Sequence, residues 1–175
     1  LKKFFISEAL AWERFAWVKA RVINKPFLQE NNKFDFFTSK VNTLKENFVY
    51  RSYLDYQSIQ SIRDLHEKIK SQTKLAKERN SANYIFNVKL ENGGIRDIEF
   101  LVQVQQLIRG GKNHALRSSS TLKTLKELLR LEFITSQEEK NISNSYEFWR
   151  TLEHHLQYQS NTQTHTITDM NIKKI

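Results

Sequence analysis

The stretch Val88-Lys-Leu-Glu-Asn-Gly-Gly-Ile-Arg-Asp-Ile-Glu-Phe-Leu-Val-Gln-Val-Gln-Gln-Leu-Ile-Arg-Gly-Gly111 holds all four glycines of the chain. Asn92-Gly93-Gly94 reads as a turn, because glycine takes positive φ without a Cβ penalty. Gly110-Gly111 reads as a helix stop, with Arg109 setting its charge at the carbonyl end of the dipole. Between the two, apolar residues recur at helical spacing. Ile95, Ile98 and Val102 share one side and Leu101, Val104 and Ile108 the next, which predicts a helix apolar round most of its girth. Arg96, Glu99, Gln103 and Gln106, at i, i+3, i+7 and i+10, make one polar stripe. On a mostly buried helix such a stripe needs partners, either protein groups or a ligand, since each unpaired buried polar group costs about 1–3 kcal/mol. Asp97 falls off the stripe in the first turn, where a carboxylate suits the positive end of the dipole.

Working outward, Tyr84, Phe86, Val88 and Leu90 alternate with Ile85, Asn87, Lys89 and Glu91, a short extended segment near 84–90. Leu1–Val22 reads as one helix. Ala9, Ala16 and Ala20 give it a small-residue face, Phe5, Trp12, Phe15 and Val18 carry bulk, and Arg14 and Arg21 share a side. Pro26 stops it. Lys33–Leu44 is a second helix with Phe34, Phe37, Val41 and Leu44 toward a core. Ile59, Ile62, Leu65 and Ile69 stripe a third, with Ser58 or Asp55 as cap, and polar 70–81 is expected to fray into a loop. Residues 109–117 are expected as a loop, and Ser120 is placed to cap a helix bearing Leu122, Leu125, Leu128 and Leu129. Thr135 and Ser136 each precede a glutamate by three, so Glu138 or Glu139 completes a capping box. The helix that follows is expected to turn Ile142, Ser145, Phe148, Trp149, Leu152 and Leu156 inward. Tyr146, Arg150, Glu153 and Gln157 make a second polar stripe on it.

At 175 residues the chain is long enough for one good core, or for one domain plus a piece of another. One proline and four glycines predict long helices with few sharp turns, so the fold class is all-α, a helical bundle. The chain opens on Leu1 and has its only methionine at Met170, so a segment of something longer is expected. The lack of cysteine excludes disulfides and thiolate metal sites and suits a reducing cytoplasm. His154, His155 and His165 lack zinc-ligand spacing, since adjacent helical residues diverge by about 100° and no His-x3-His pair occurs. No apolar run approaches the ~20 residues of a membrane span. The net charge of +9 is spread along the chain, with one partial cluster at Lys68, Lys70, Lys74, Lys77 and Arg79. Solvated helix surfaces are therefore expected, with no nucleic-acid and no membrane partner.

Gly93-Gly-Ile-Arg-Asp-Ile-Glu-Phe100, followed by Gln103, Gln106-Leu107 and Gly110-Gly111, resembles the signature of the glutamine synthetase adenylyltransferase family. Other elements match in order: Trp12-Glu13-Arg14 with Lys19-Ala20-Arg21, Phe48-Val49-Tyr50-Arg51, Leu116-Arg117, the run from Tyr146 to Gln157, and Gln163-Thr164-His165. Ser52 stands where the family has a second arginine, Ile23-Asn24-Lys25 where it has Ala-Gly-Asp, and Thr168 where it has proline.

The resemblance implies a bifunctional enzyme that attaches AMP to glutamine synthetase and removes it. Phe48-Val-Tyr-Arg51, Ile95-Arg96 before Asp97, and Gln163-Thr-His165 are similar to the half that phosphorolyses adenylyl-tyrosine to ADP. It further implies residues 1–45 as trailing helices of a nucleotidyltransferase domain whose palm is missing, 46–168 as a helical domain closing over its site, and 169–175 as a tail. Mg²⁺ with ATP, ADP or phosphate would serve the full-length enzyme, glutamine synthetase and the nitrogen-signal protein PII would be its partners, and the cytoplasm its place. The family's metal-binding motifs, Gly-Ser-Asp-x-Asp and Val-Asp-x-Arg-Leu-Arg-Pro, do not occur in these residues. No catalytic residue or metal ligand is therefore assigned, and the segment alone is expected to be inactive. The candidates for nucleotide or phosphate contact, or for domain docking, are Arg14, Lys19, Arg21, Arg96, Asp97, Glu99 and Gln103, with a charged network joining the two helices as the expected role. Gly93-Gly94 ahead of a helix offers amides to an anion, but Asp97 in the same turn opposes one. Two alternatives stand beside this: the helical domain of a PII uridylyltransferase relative, expected to lack the Gly93–Phe100 run, and a basic helical module binding nucleic acid or another protein.

Overall fold

A chain nearly without proline, its glycines gathered in two pairs, has few places to break a helix, and the computed structural model is mainly helical. It describes residues 11–22, 31–51, 56–79 and 84–168. Among them are helices α1 (Ala11–Lys19), α2 (Asn31–Val49), α3 (Tyr56–Arg79), α4 (Ile95–Arg109), α5 (Thr121–Arg130) and α6 (Ser136–Ser160). Strands β1 (Tyr84–Asn87) and β2 (Thr166–Thr168) pair antiparallel, with Phe86 opposite Ile167 and Asn87 opposite Thr166. The expectations for Phe5, Ala9, Pro26, Asp55 and the tail, and for the side chains of Trp12, Phe34, Ser58 and Ile59, lie outside the described residues. The chain divides into two compact units, Leu1–Ile62 with Gln103–Thr124 and Arg63–Val102 with Leu125–Ile175.

In the first unit Phe15 and Val18 of α1, Phe48 and Val49 of α2, and Leu107 and Leu116 are buried. The first helix ends at Lys19, short of Val22, where Ala20 N–H tightens the last turn by bonding to the Trp17 carbonyl at 3.2 Å. Lys45 Nζ donates to the Ala20 carbonyl at 2.8 Å, and burial lowers its pKa against the opposing pull of Glu46. Because the helix stops early, Arg14 and Arg21 do not share an environment: Arg14 is buried and Arg21 exposed. Ala16, expected on a small-residue packing face, is exposed as well. Helix α2 outruns its expected bounds at both ends, and its core contribution comes from Phe48 and Val49 at the end. Phe37, expected inward, is 54% exposed. Helix α3 runs to Arg79 where a loop was expected from Lys70. Lys, Gln, Leu, Ala, Glu and Arg are all good helix formers, so polarity there does not end the helix.

In the second unit Val88, Ile95 and Leu156 form a buried cluster, with Phe86, Tyr146, Trp149, Leu152 and Ile167 packed against it. The Phe86 and Trp149 rings stack with centroids 5.1 Å apart. Helix α6 opens on the expected capping box: Thr135 Oγ1 accepts from Glu138 N–H at 3.2 Å, and Glu138 Oε2 accepts from Thr135 N–H at 2.7 Å. Helix α5 is capped by Ser120, whose Oγ accepts from Lys123 N–H at 3.3 Å. Phe148 is 59% exposed and Ser145 is exposed, contrary to the inward face expected for them. The core-facing line of α6 runs through Tyr146, Trp149, Leu152 and Leu156, and Phe148 lies one residue, about 100°, off it.

Candidate functional site

The turn before α4 is built by backbone bonds that the sequence makes available. Asn87 Oδ1 accepts from the amides of Lys89 and Leu90, at 3.0 and 2.9 Å. Gly93 has φ +77°, where a side chain would be strained. Gly94 is needed for space, since a Cβ there would lie 2.7 Å from the Val88 carbonyl oxygen and 2.9 Å from that of Glu91. Four successive amides of the turn already have protein acceptors. Gly93 N–H donates to Asp97 Oδ2 at 3.0 Å, Gly94 to Glu91 O at 2.9 Å, Ile95 to Val88 O at 3.0 Å and Arg96 to Lys89 O at 3.0 Å. Asp97 thus closes the turn as a cap. Its other oxygen lies 3.6 Å from His66 Nε2, and the His66 ring stacks on Phe100 at 4.6 Å.

Helix α4 is not apolar round its girth. Ile95, Ile98 and Val102 are buried, but Leu101 and Ile108 are 46% and 44% exposed. The polar stripe passes from an exposed Arg96 through partly buried Glu99 and Gln103 to a fully buried Gln106. Ten residues at 100° each leave it about 80° round from its start, which is enough to move from solvent to core. Glu99 accepts from the Tyr146 hydroxyl at 3.0 Å, and no Arg96–Glu99 bond forms among the described residues. Gln106 Nε2 lies 2.6 Å from Leu116 O, 2.7 Å from Ser118 O and 3.2 Å from Thr124 Oγ1.

The cations of the first helix have local partners. Lys19 Nζ donates to Ser119 O at 3.0 Å and Thr121 Oγ1 at 2.7 Å. The Arg14 guanidinium sits 5.5 Å from the Phe48 ring centre. A further arginine, absent from the sequence-based candidates, organises the end of α4. Arg117 donates from Nε to Gly110 O at 2.8 Å and from Nη2 to Gly111 O at 3.3 Å, pairs with Glu46 at 3.0 Å, and lies 5.1 Å from the Tyr50 ring centre. Gly110 fits against the same ring: a Cβ would lie 2.6 Å from Tyr50 Cδ1. Burial pushes the Tyr50 hydroxyl pKa up to about 12, with Arg117 pulling down and Glu46 up. Tyr50, Gly110 and Arg117 all fall in elements that carried the resemblance, which is the signal that could have found them.

On α6 three residues of the second polar stripe, Arg150, Glu153 and Gln157, form a connected set with His165. Glu153 is 2% exposed; Arg150 Nη1 donates to its Oε2 at 2.6 Å, and His165 Nδ1 lies 2.8 Å from its Oε1. Gln157 Nε2 is 3.5 Å from the same ring nitrogen. His165 belongs to a different part of the chain, so the stripe alone did not disclose it. Among the described residues there is no group of three or more His, Cys, Asp or Glu that could hold a metal ion. None of the described helices is long and apolar enough to cross a membrane.

These features define a mainly helical domain held by capped helix ends and buried polar ties. The chain belongs to the GlnD PII-uridylyltransferase family, whose model matches residues 63–175. It is also similar, over 95% of its length, to proteins named bifunctional glutamine synthetase adenylyltransferase/adenylyl-removing enzyme. The identity is 38% to that of Ralstonia nicotianae, 35% to that of Neisseria meningitidis serogroup B and 38% to that of Aromatoleum aromaticum. The chain spans 18%, 17% and 16% of those three relatives. Their name is the one the Gly93–Phe100 run pointed to, while the family model carries the description of the alternative weighed beside it.

Proposed function

We propose that this chain is the helical part of an enzyme that adenylylates and deadenylylates glutamine synthetase, from the half that phosphorolyses adenylyl-tyrosine to ADP. The observation that carries the reading is identity of 35–38% over 95% of the chain to proteins named for both activities. The Phe48-Val-Tyr-Arg51, Ile95-Arg96 and Gln163-Thr-His165 elements support the adenylyl-removing half. In this reading residues 1–45 trail from a nucleotidyltransferase domain, and 46–168 pack against it and help close its site. Mg²⁺ and ATP, ADP or phosphate are then held outside this chain, glutamine synthetase and PII are the partners, and the cytoplasm is the location. Phosphorolysis moves the adenylyl group from the tyrosine oxygen to phosphate, giving ADP and the free hydroxyl. The chain's polar residues serve mainly to position helices. Arg21 and Arg96, exposed among the seven candidates, are the two suited to reach a phosphate.

The test uses the longer protein that carries this chain, with adenylylated glutamine synthetase, phosphate and Mg²⁺. ADP release is expected, lowered by Arg96→Ala without a change in melting temperature. Transfer of UMP to PII with no ADP release would instead favour a uridylyltransferase.

A further inference from the structure

Three groups able to carry positive charge share one buried carboxylate in the second unit. Glu153, 2% exposed, meets Arg150 Nη1 through Oε2 at 2.6 Å and His165 Nδ1 through Oε1 at 2.8 Å, so both its oxygens are engaged. The third group is Lys89. Its amide donates to Asn87 Oδ1 at 3.0 Å and its carbonyl accepts from Arg96 N–H at 3.0 Å. Its neighbour Val88 donates to the His165 carbonyl at 2.9 Å, which fixes the lysine beside the histidine. The charges of Lys89, Arg150 and Glu153 all face the ring. Yet the half-buried Lys89 side chain makes no hydrogen bond or ion pair with any described residue. We propose that Lys89, Arg150 and His165 form a binding site for a phosphate group, free or carried as a monoester.

The charge balance asks for an anion. Lys89 and Arg150 outnumber Glu153 by one before His165 takes up any proton, and the segment that carries the ring, Gln163 to Thr168, has no acid. Among the described residues Glu153 is the one carboxylate facing the ring. The donors suit phosphate better than a carboxylate. Arg150 meets Glu153 through Nη1, and its side chain is 40% exposed, so the rest of the planar fork is open to a ligand. Lys89 adds a compact ammonium. A phosphate ester brings three acceptor oxygens and a charge of about −1.5 to −2 at neutral pH, enough to engage both cations at once. Such an anion is additional to those the reaction would consume, and its binding does not depend on the adenylyl-removing reading.

The test is a titration of the 175-residue chain with inorganic phosphate at neutral pH, with chloride holding the ionic strength constant, followed by the ring-proton NMR signals of its histidines. His165 should shift and saturate in the millimolar range. His154 and His155, exposed on the same helix, should not move. Lys89→Met should weaken binding roughly tenfold, the effect of removing one charge-assisted hydrogen bond. Methyl phosphate in a parallel titration distinguishes the two sources, since the form that binds more tightly is the occupant. No saturable shift with either, equal shifts at all three histidines, or unaltered affinity in Lys89→Met overturns the proposal.

Discussion

Replacing Gln106 by glutamate exchanges one NH₂ group for an oxygen, and its surroundings make that change severe. The side chain is fully buried, with Nε2 2.6 Å from Leu116 O and 2.7 Å from Ser118 O. Two carbonyls fix which way the amide points, since each needs a donor. Thr124 Oγ1, at 3.2 Å, is an acceptor too, because it donates its own hydrogen to Ser120 O at 2.9 Å. A carboxylate there would face three acceptors, and an uncompensated buried charge costs about 3–5 kcal/mol. Gln106→Leu is milder. It orphans the Leu116 carbonyl at about 1–3 kcal/mol, but it also removes Gln106 Oε1, which is buried without a partner and carries a cost of the same size. Those two nearly cancel, and the Ser118 carbonyl, which also loses its donor, leaves a loss of about 1–3 kcal/mol. Urea unfolding of the chain at neutral pH should rank wild type above Gln106→Leu and both well above Gln106→Glu. Burial raises the new carboxyl's folded-state pKa, so the glutamate variant should regain stability as the pH falls. A glutamate variant as stable as the leucine variant would refute the reasoning.

Arg96→Ala should change stability by no more than about 0.5 kcal/mol, because Arg96 is exposed, whereas Asp97→Ala removes the cap on Gly93 N–H and should cost about 1 kcal/mol. Thermal melts of the two variants side by side check this. Gly93→Ala has open space and should lose roughly 1–2 kcal/mol to backbone strain alone, while Gly94→Ala drives a Cβ against two carbonyls and should melt lower still. The 175-residue chain alone, given adenylylated glutamine synthetase, phosphate and Mg²⁺, should release no ADP above a blank. Titration with duplex DNA at physiological salt should show no sequence preference; submicromolar, sequence-selective binding would overturn that expectation.

The features legible in the sequence are those whose partners lie a few residues away. The Asn92–Gly94 turn, the stop at Gly110, the Ser120 cap and the Thr135–Glu138 capping box each close within four residues. Residue identity determines them, because short-range backbone geometry leaves little choice. The resemblance carried by Gly93–Phe100 was legible for a similar reason, since that turn needs Gly94 for space and Asp97 for its cap. What only the tertiary structure decided is which side of each helix is covered. Periodicity put Leu101 with Val104 and Ile108, and Phe148 with the core of α6, but a side is buried only when another element arrives to cover it. Arg96 and Gln106 stand on one stripe and meet opposite fates, solvent and core, for that reason. Arg117 on Tyr50 and the Val88 amide on the His165 carbonyl likewise bring together residues far apart along the chain. Spacing along one helix shows that a polar stripe needs partners; which distant residues supply them depends on how the chain returns.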